Sequence, residues 1–301
     1  MLFVEAMPEL PDVELYVELL RERIVGQVLE AVRLKSLFLV RSVDPPISAA
    51  HGKRVLGVRR LGKRIVLALE DDLFLVVHLM IAGRFRWEKR GARPAGKIGL
   101  AACDFPNGTL LLTEASQKKR AALHLLRGEA ALAAHDPGGI EPLACDEAAF
   151  KAALTRESHT LKRVLTDPRV FSGIGNAYSD EILHAARLSP VKQTGKLSEE
   201  EIGRLYHATR ATLTHWLGRL RAEFAERFPG PGDITAFRPD FAVHGRYREP
   251  CPVCGKPVQR IRYADNETNY CAVCQTEGRR LADRALSRLL HDSYARSIDD
   301  V

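Results

Sequence analysis

Four of the six cysteines fall in two Cys-x-x-Cys pairs, Cys251/Cys254 and Cys271/Cys274, with sixteen residues between them. No other feature restricts the fold of its own segment so tightly. Each pair can place two thiolates on one side of a tight turn, and the intervening length suits a β-hairpin that closes the pairs around one tetrahedral zinc. Four sulfur ligands leave no open coordination position, so the Zn2+ read from this pattern is structural, one per chain, and not a catalyst. Paired spacing disfavours an iron-sulfur site, and four free thiols would have to coincide by chance. Cys103 and Cys145 stand outside the pattern and read as small buried apolar residues. The hairpin between the pairs carries Arg260, Arg262, Tyr263, Asn266 and Asn269. These side chains can reach a phosphate or a groove edge, or can simply be solvated.

A chain of 301 residues with 46% hydrophobic and 28% charged positions has material for more than one core. Its 45 Lys+Arg against 38 Asp+Glu give a net charge of +7, which favours a polyanionic partner without identifying it. The start MLFVEA has neither a basic leader nor an apolar core of signal-peptide length. The longest apolar run, LFLVVHLMIAG, is interrupted by His78 and is shorter than the roughly 20 residues of a spanning helix. The expectation is a cytoplasmic protein without a membrane partner, and in that reducing compartment the cysteine spacing points to metal instead of disulfides.

Near the start, Pro11 and Asp12 precede Val13, Tyr16, Val17, Leu20 and Ile24 at helical spacing, which predicts an amphipathic helix opened by proline. That helix leaves Pro8 and Glu9 unexplained. Residues 28 to 115 read as strands, with Asn107-Gly108 predicted to supply the positive φ angles of a tight hairpin turn. An antiparallel two-layer β-sandwich with an attached helix follows. HDPGGIEPL at 135 to 143 breaks the pattern, and beyond it DEAAFKAAL, LKRVLTD, AYSDEILHAARL and a long SEEEIGRLYHATRATLTHWLGRLRAEFAERF read as helices. Ile202, Leu205, Leu213, Trp216, Leu217 and Leu220 form the buried stripe of the last, which FPGPGD ends. In SGIGNAYSDEIL two glycines precede Asn176, read as the cap of the next helix, with Asp180 and Glu181 in its early part; this is either a plain turn or a phosphate seat. The class is α+β multidomain, divided at 1–140, 141–235 and 236–301, the last part holding the zinc hairpin and a basic tail.

PELPDVEL, a strand-rich segment, LGKR at 61 to 64, SGIGNAYSDEIL and the terminal cysteine hairpin occur in that order. The chain thereby resembles the formamidopyrimidine-DNA glycosylase and endonuclease VIII family of repair enzymes, from Met7 to about Arg280. The resemblance implies an N-terminal β-sandwich with flanking helices, a helix-two-turn-helix domain and a zinc finger. It also implies a DNA glycosylase with abasic-site lyase activity, acting through an amino-terminal proline. Pro8 matches that proline and Glu9 the acid beside it, provided that translation starts at Met7 or the leading residues are removed. Lys63 matches a residue that binds a phosphate and assists proton transfer. His78 and Asn176 match two more positions that clasp the backbone, and Lys162 joins the DNA-binding set. The implied partner is double-stranded DNA carrying a damaged base or abasic site, bound by a monomer and nucleoid-associated.

Departures from the family pattern bear on lesion choice. Asn266 stands where a zinc-hairpin arginine is usual, and lacks its charge and fork. LMIAG replaces LGMSG or LGMTG, so Ile81 takes the place of the methionine that fills the hole left by an extruded base. The wedge loop of two arginines, phenylalanine and glycine has no counterpart in TEASQKKRAALHLL, where Gln117, Lys118, Lys119 and Arg120 stand. The segment between the long helix and the zinc hairpin looks abbreviated. Two rival readings accompany the enzyme: a non-catalytic damaged-DNA binder of the same fold, and a zinc-ribbon transcription factor, which would leave the N-terminal motif and Lys63 idle.

Overall fold

The computed structural model describes residues 7–235, 237–263, 266–281 and 297–298. The six leading residues, the hairpin tip at 264–265 and most of the basic tail lie outside the described residues. The chain divides into two compact units, one running to residue 137 and including 216–236, the other comprising 138–215 and the chain from 237 onward.

In the first unit, α1 (Leu10–Ile24) begins at Glu9, its N-cap, with proline in the first turn and Arg21 and Arg23 in the last. Its apolar stripe, Val13, Tyr16, Val17, Leu20 and Ile24, is buried as the spacing predicts. Nine strands follow: β1 (Val28–Leu29), β2 (Ala31–Leu34), β3 (Lys53–Leu61), β4 (Arg64–Leu69), β5 (Leu73–His78), β6 (Gly83–Glu88), β7 (Gly99–Phe105), β8 (Gly108–Glu114) and β9 (Ala122–Arg127). They form two antiparallel sheets in the orders β1-β3-β4-β5-β9 and β2-β7-β8-β6. Ile65, Leu67, Leu73, Leu75 and Val77 join Phe85, Leu100, Phe105 and Leu112 of the other sheet, and the α1 stripe, in one core. The alternate residues Val66, Phe74 and Val76 pack with Leu132 of the short helix α2 (Glu129–Ala133). Both faces of β5 are therefore covered, which is why residues 73 to 77 read as an unbroken apolar run instead of alternating.

The β7–β8 hairpin forms where expected but not with the expected turn. Phe105 pairs with Gly108, so the two linking residues are Pro106 and Asn107, and neither Asn107 nor Gly108 has positive φ. Pro106 fixes its own φ near −65° and excludes a turn needing φ > 0 there. Gly108 is required for another reason: a Cβ would lie 2.5 Å from the Trp87 ring. The positive angles occur instead at Asp71 (φ 61°) and Asp72 (φ 56°), in the link from β4 to β5.

The second unit contains α3 (Glu147–Thr155), α4 (Leu161–Thr166), α5 (Asn176–Ala185), the first part of α6 (Glu199–Glu223), the hairpin β10 (Gln259–Tyr263) and β11 (Asn266–Tyr270), and α7 (Ala272–Thr276). Asp146 caps α3 by accepting the Ala149 amide at 2.8 Å. Ser198 and Glu201 start α6 with reciprocal side chain to backbone hydrogen bonds of 3.2 and 2.9 Å. Residues 216 to 235, placed by the sequence in the middle domain, pack with the first unit, because Leu220, Phe224 and Ile234 belong to its core. Among the described residues no helix is long and apolar enough to cross a membrane.

Candidate nucleic-acid interface and metal centre

One end of the five-stranded sheet collects most of the singled-out residues of the first unit. Leu61 pairs with Arg64, leaving Gly62 (φ 61°) and Lys63 as a two-residue turn. Arg64 pairs with His78, and His78 with Ala122. The Lys63 turn, the link bearing Ile81 and the loop 115–121 thus share that end. Helix α1 starts near it and runs away from it: Arg60 Nε donates to Glu14 Oε2 at 3.0 Å, and, further along, Arg21 Nε to Val58 O at 2.7 Å. Arg60 Nη1 also donates to Gly62 O at 2.9 Å, joining α1 to the Lys63 turn. At the start of α1, Pro8 and Glu9 are buried. The Glu9 amide donates to Asp12 Oδ2 at 3.0 Å, and the Glu9 side chain accepts from the Asp12 amide, which fixes the acid at the helix entrance.

The Ile81 link is held from several sides. The Gly83 amide donates to Leu79 O at 2.9 Å, and a Cβ on Gly83 would lie 2.1 Å from that oxygen. Met80 sits at φ 53°, a region L residues seldom enter. Arg84 Nη1 donates to the Ile81 and Gly83 carbonyls at 3.1 and 2.7 Å. The Met80 amide donates to His78 Nδ1 at 3.2 Å, so a neutral His78 carries its proton on Nε2. Burial, then Arg64, Lys63 and His124, push its pKa down to about 4. His78 is thus a neutral hydrogen-bond donor near pH 7.

The loop 115–121 is anchored by Glu114, which is fully buried. Its carboxylate accepts the Arg120 amide at 2.9 and 3.0 Å, the Ala121 amide at 3.1 Å and Ser116 Oγ at 3.0 Å. Gln117, Lys118 and Arg120 are exposed on it, while Lys119 Nζ turns back to Glu114 O.

In the second unit the α5 entrance differs in detail from its expected form. Gly175 is the N-cap and Asn176 the first helical residue. Asn176 does not cap the helix: its Nδ2 donates to Glu267 O of β11 at 2.9 Å. Asp180 and Glu181 are turned inward. Asp180 is fully buried and accepts from Lys162 Nζ at 2.5 Å, His244 Nδ1 at 2.8 Å and the Asn269 amide at 3.0 Å. Burial would raise its pKa, but Lys162 and His244 outweigh burial and hold it below the usual carboxylate range. Burial raises that of Glu181, against the Ala242, Val243 and His244 amides it accepts. Lys162, expected at DNA, is committed to Asp180 and to Asn176 O at 2.7 Å. A buried carboxylate one helix away outcompetes solvent for its ammonium.

The four cysteine sulfurs lie within 4.8 Å of one another, with Cys254 and Cys271 3.4 Å apart and Cys251 and Cys274 3.9 Å apart. A tetrahedron of Zn–S bonds of about 2.3 Å needs sulfurs about 3.8 Å apart. The cluster fits that ion. In the hairpin, Arg260 lies 4.0 Å over the Tyr247 ring and pairs with Glu267 at 3.2 Å. Asn269 is buried, and neither is a free phosphate ligand. Arg262 also faces Glu267, at 3.5 Å, but is 66% exposed. Asn266 pairs with Tyr263 at the hairpin end; their side chains lie outside the described residues.

Three domain families match in chain order: the formamidopyrimidine-DNA glycosylase N-terminal domain over 7–135, its H2TH domain over 139–220, and the zinc finger found in these glycosylases and isoleucyl-tRNA synthetases over 248–276. The formamidopyrimidine-DNA glycosylase of Thermus thermophilus is 35% identical over 278 residues, spanning 90% of this chain and all of the relative.

The chain belongs to the formamidopyrimidine-DNA glycosylase family.

The glycosylase of Lactococcus lactis in complex with abasic-site DNA superposes with a TM-score of 0.78 at 28% identity, covering 89% of this chain and 99% of that one. A variant of the same protein with DNA containing Fapy-dG gives 0.78 and 28%, covering 89% and 100%. Membership makes the chain a DNA glycosylase of base excision repair with a zinc finger. Sequence reading missed Arg60, Arg84 and Glu114, which hold the parts of the first unit's site. Only Glu114 had a local signal, an acid at the end of a strand of otherwise apolar residues and threonines.

Proposed function

We propose that the protein is a bifunctional DNA glycosylase and abasic-site lyase whose nucleophile is the Pro8 nitrogen. The observation that carries this reading is the buried Pro8-Glu9 pair at the α1 entrance, in a domain whose family match begins at Met7. As a chain terminus, proline offers a secondary amine with a reference pKa of about 8, partly neutral at cellular pH, whereas an internal amide nitrogen cannot attack. The reading therefore requires a mature chain beginning at Pro8.

A damaged nucleotide leaves the stack to be reached. The amine attacks C1′, the C1′–base bond breaks with its electron pair going to the base, and the amine proton passes to the departing base, leaving a substituted ring that opens to an iminium. Glu9 delivers the proton to the ring oxygen. Elimination from the iminium then cuts the strand on both sides of the lesion. Lys63 binds a backbone phosphate as a cation, His78 and Asn176 as neutral donors, with Asn266 and the exposed Arg262 at the hairpin. Ile81 fills the space left by the base. Lys118 and Arg120 replace an aromatic wedge with charge, suited to phosphate contact. Zinc, one per chain and saturated by Cys251, Cys254, Cys271 and Cys274, supplies structure. The substrate is double-stranded DNA with an oxidised or ring-opened base or an abasic site, bound by a monomer in the nucleoid-containing cytoplasm.

Borohydride trapping on abasic-site DNA tests the chemistry. Protein beginning at Pro8 should form a covalent adduct that is lost when the Pro8 nitrogen is acetylated, since an amide nitrogen cannot attack. No adduct from folded protein beginning at Pro8 overturns the enzyme and leaves a passive binder of damaged DNA.

A further inference from the structure

Three side chains at successive four-residue steps along α5, Asn176, Asp180 and His184, meet the C-terminal segment. That spacing stacks them on one helix face. Asn176 Nδ2 reaches Glu267 O, Asp180 takes the Asn269 amide, and buried His184 places Nε2 3.3 Å from Cys251 Sγ. Cys251 is itself buried. The polar row therefore runs from the α5 entrance to the metal cluster.

A metal-bound sulfur is a thiolate and can only accept a hydrogen bond, so the nitrogen facing it must donate. Four thiolates against one divalent cation leave two negative charges on a partly buried cluster, which nearby N–H donors offset. We propose that His184 is a positioning residue of the metal centre, donating Nε2–H to the Cys251 sulfur and, with Asp180 and Asn176, locking α5 to the zinc hairpin. The proposal rests on reading the four cysteines as a zinc site.

Full-length His184→Phe keeps a ring without a donor, and His184→Gln keeps a donor without a ring; His184→Leu replaces the first if it does not fold. Zinc content of the unmodified protein comes first, since folded protein without zinc removes the metal reading itself. With zinc present, release to a chelating dye should be 10- to 100-fold faster in His184→Phe. In cobalt-loaded protein the thiolate-to-cobalt charge-transfer band should move to longer wavelength, because a thiolate without its donor holds its electrons less tightly. His184→Gln should return both toward the unmodified values. Unchanged release and an unmoved band in the Phe variant overturn the proposal, as does a Gln variant that matches Phe in both.

Discussion

Lys63 and His78 stand on neighbouring parts of one sheet end yet differ in charge. In the proposed complex a cation displaces counterions from DNA and a neutral donor does not. Lys63→Ala should weaken binding and reduce the slope of log affinity against log salt by about 1. His78→Gln should weaken binding with the slope unchanged. Equal slopes in both variants would remove the distinction. The depressed pKa of His78 also has a consequence for stability. Between the unfolded value of 6.5 and about 4, the unfolded chain binds a proton that the folded chain does not, so stability falls as pH drops through that window. Denaturant titrations between pH 7 and 4 should show a shallower loss in His78→Gln than in the unmodified protein. Gly108→Ala brings a Cβ to 2.5 Å from the Trp87 ring and should destabilise by about 1–3 kcal/mol, read from the chemical denaturation midpoint.

At the scale of elements, connections are set less by their own residues than by what anchors them. The loop from β8 to β9 contains lysines, arginine, serine and alanine that specify no single conformation, and a carboxylate at its base gathers its amides. Glu114→Ala strands those donors and should cost about 1–3 kcal/mol, with new protease cleavage between residues 115 and 121 in the folded protein. Cleavage elsewhere first would show that Glu114 does not govern the loop. Helix α6 is the opposite case, since its start is written locally in Ser198 and Glu201. The β7–β8 hairpin lies between: its apolar strands fixed the pairing, while Pro106 and the Trp87 ring decided the turn and the glycine.

Across the whole molecule, the zinc proposed for the four-cysteine cluster would do for the C-terminal segment what apolar cores do elsewhere. Val243 and Val258 are buried beside the cysteines, and Tyr270, Ala272 and Ile298 form a second small cluster with Ile261 and Leu281; two such small clusters are too little to hold a hairpin without a closure. Stripping zinc with a strong chelator should unfold the segment 248–276, seen as loss of amide exchange protection there, while β3 to β9 stay protected. Protection retained in metal-free protein would count against that dependence. The sequence by itself determined the strand and helix segments, the amphipathic stripes of α1 and α6, and the paired cysteines, because periodicity and spacing are short-range properties. The motifs PELPDVEL, LGKR and SGIGNAYSDEIL were equally legible, and they led to the family. Only the tertiary structure decided that Lys162 serves Asp180, that Asn176 reaches β11, that His78 is neutral, and that His184 meets Cys251. Each of those outcomes depends on burial or on a partner brought near by folding, and a side chain's charge and hydrogen bonds follow from what surrounds it in space.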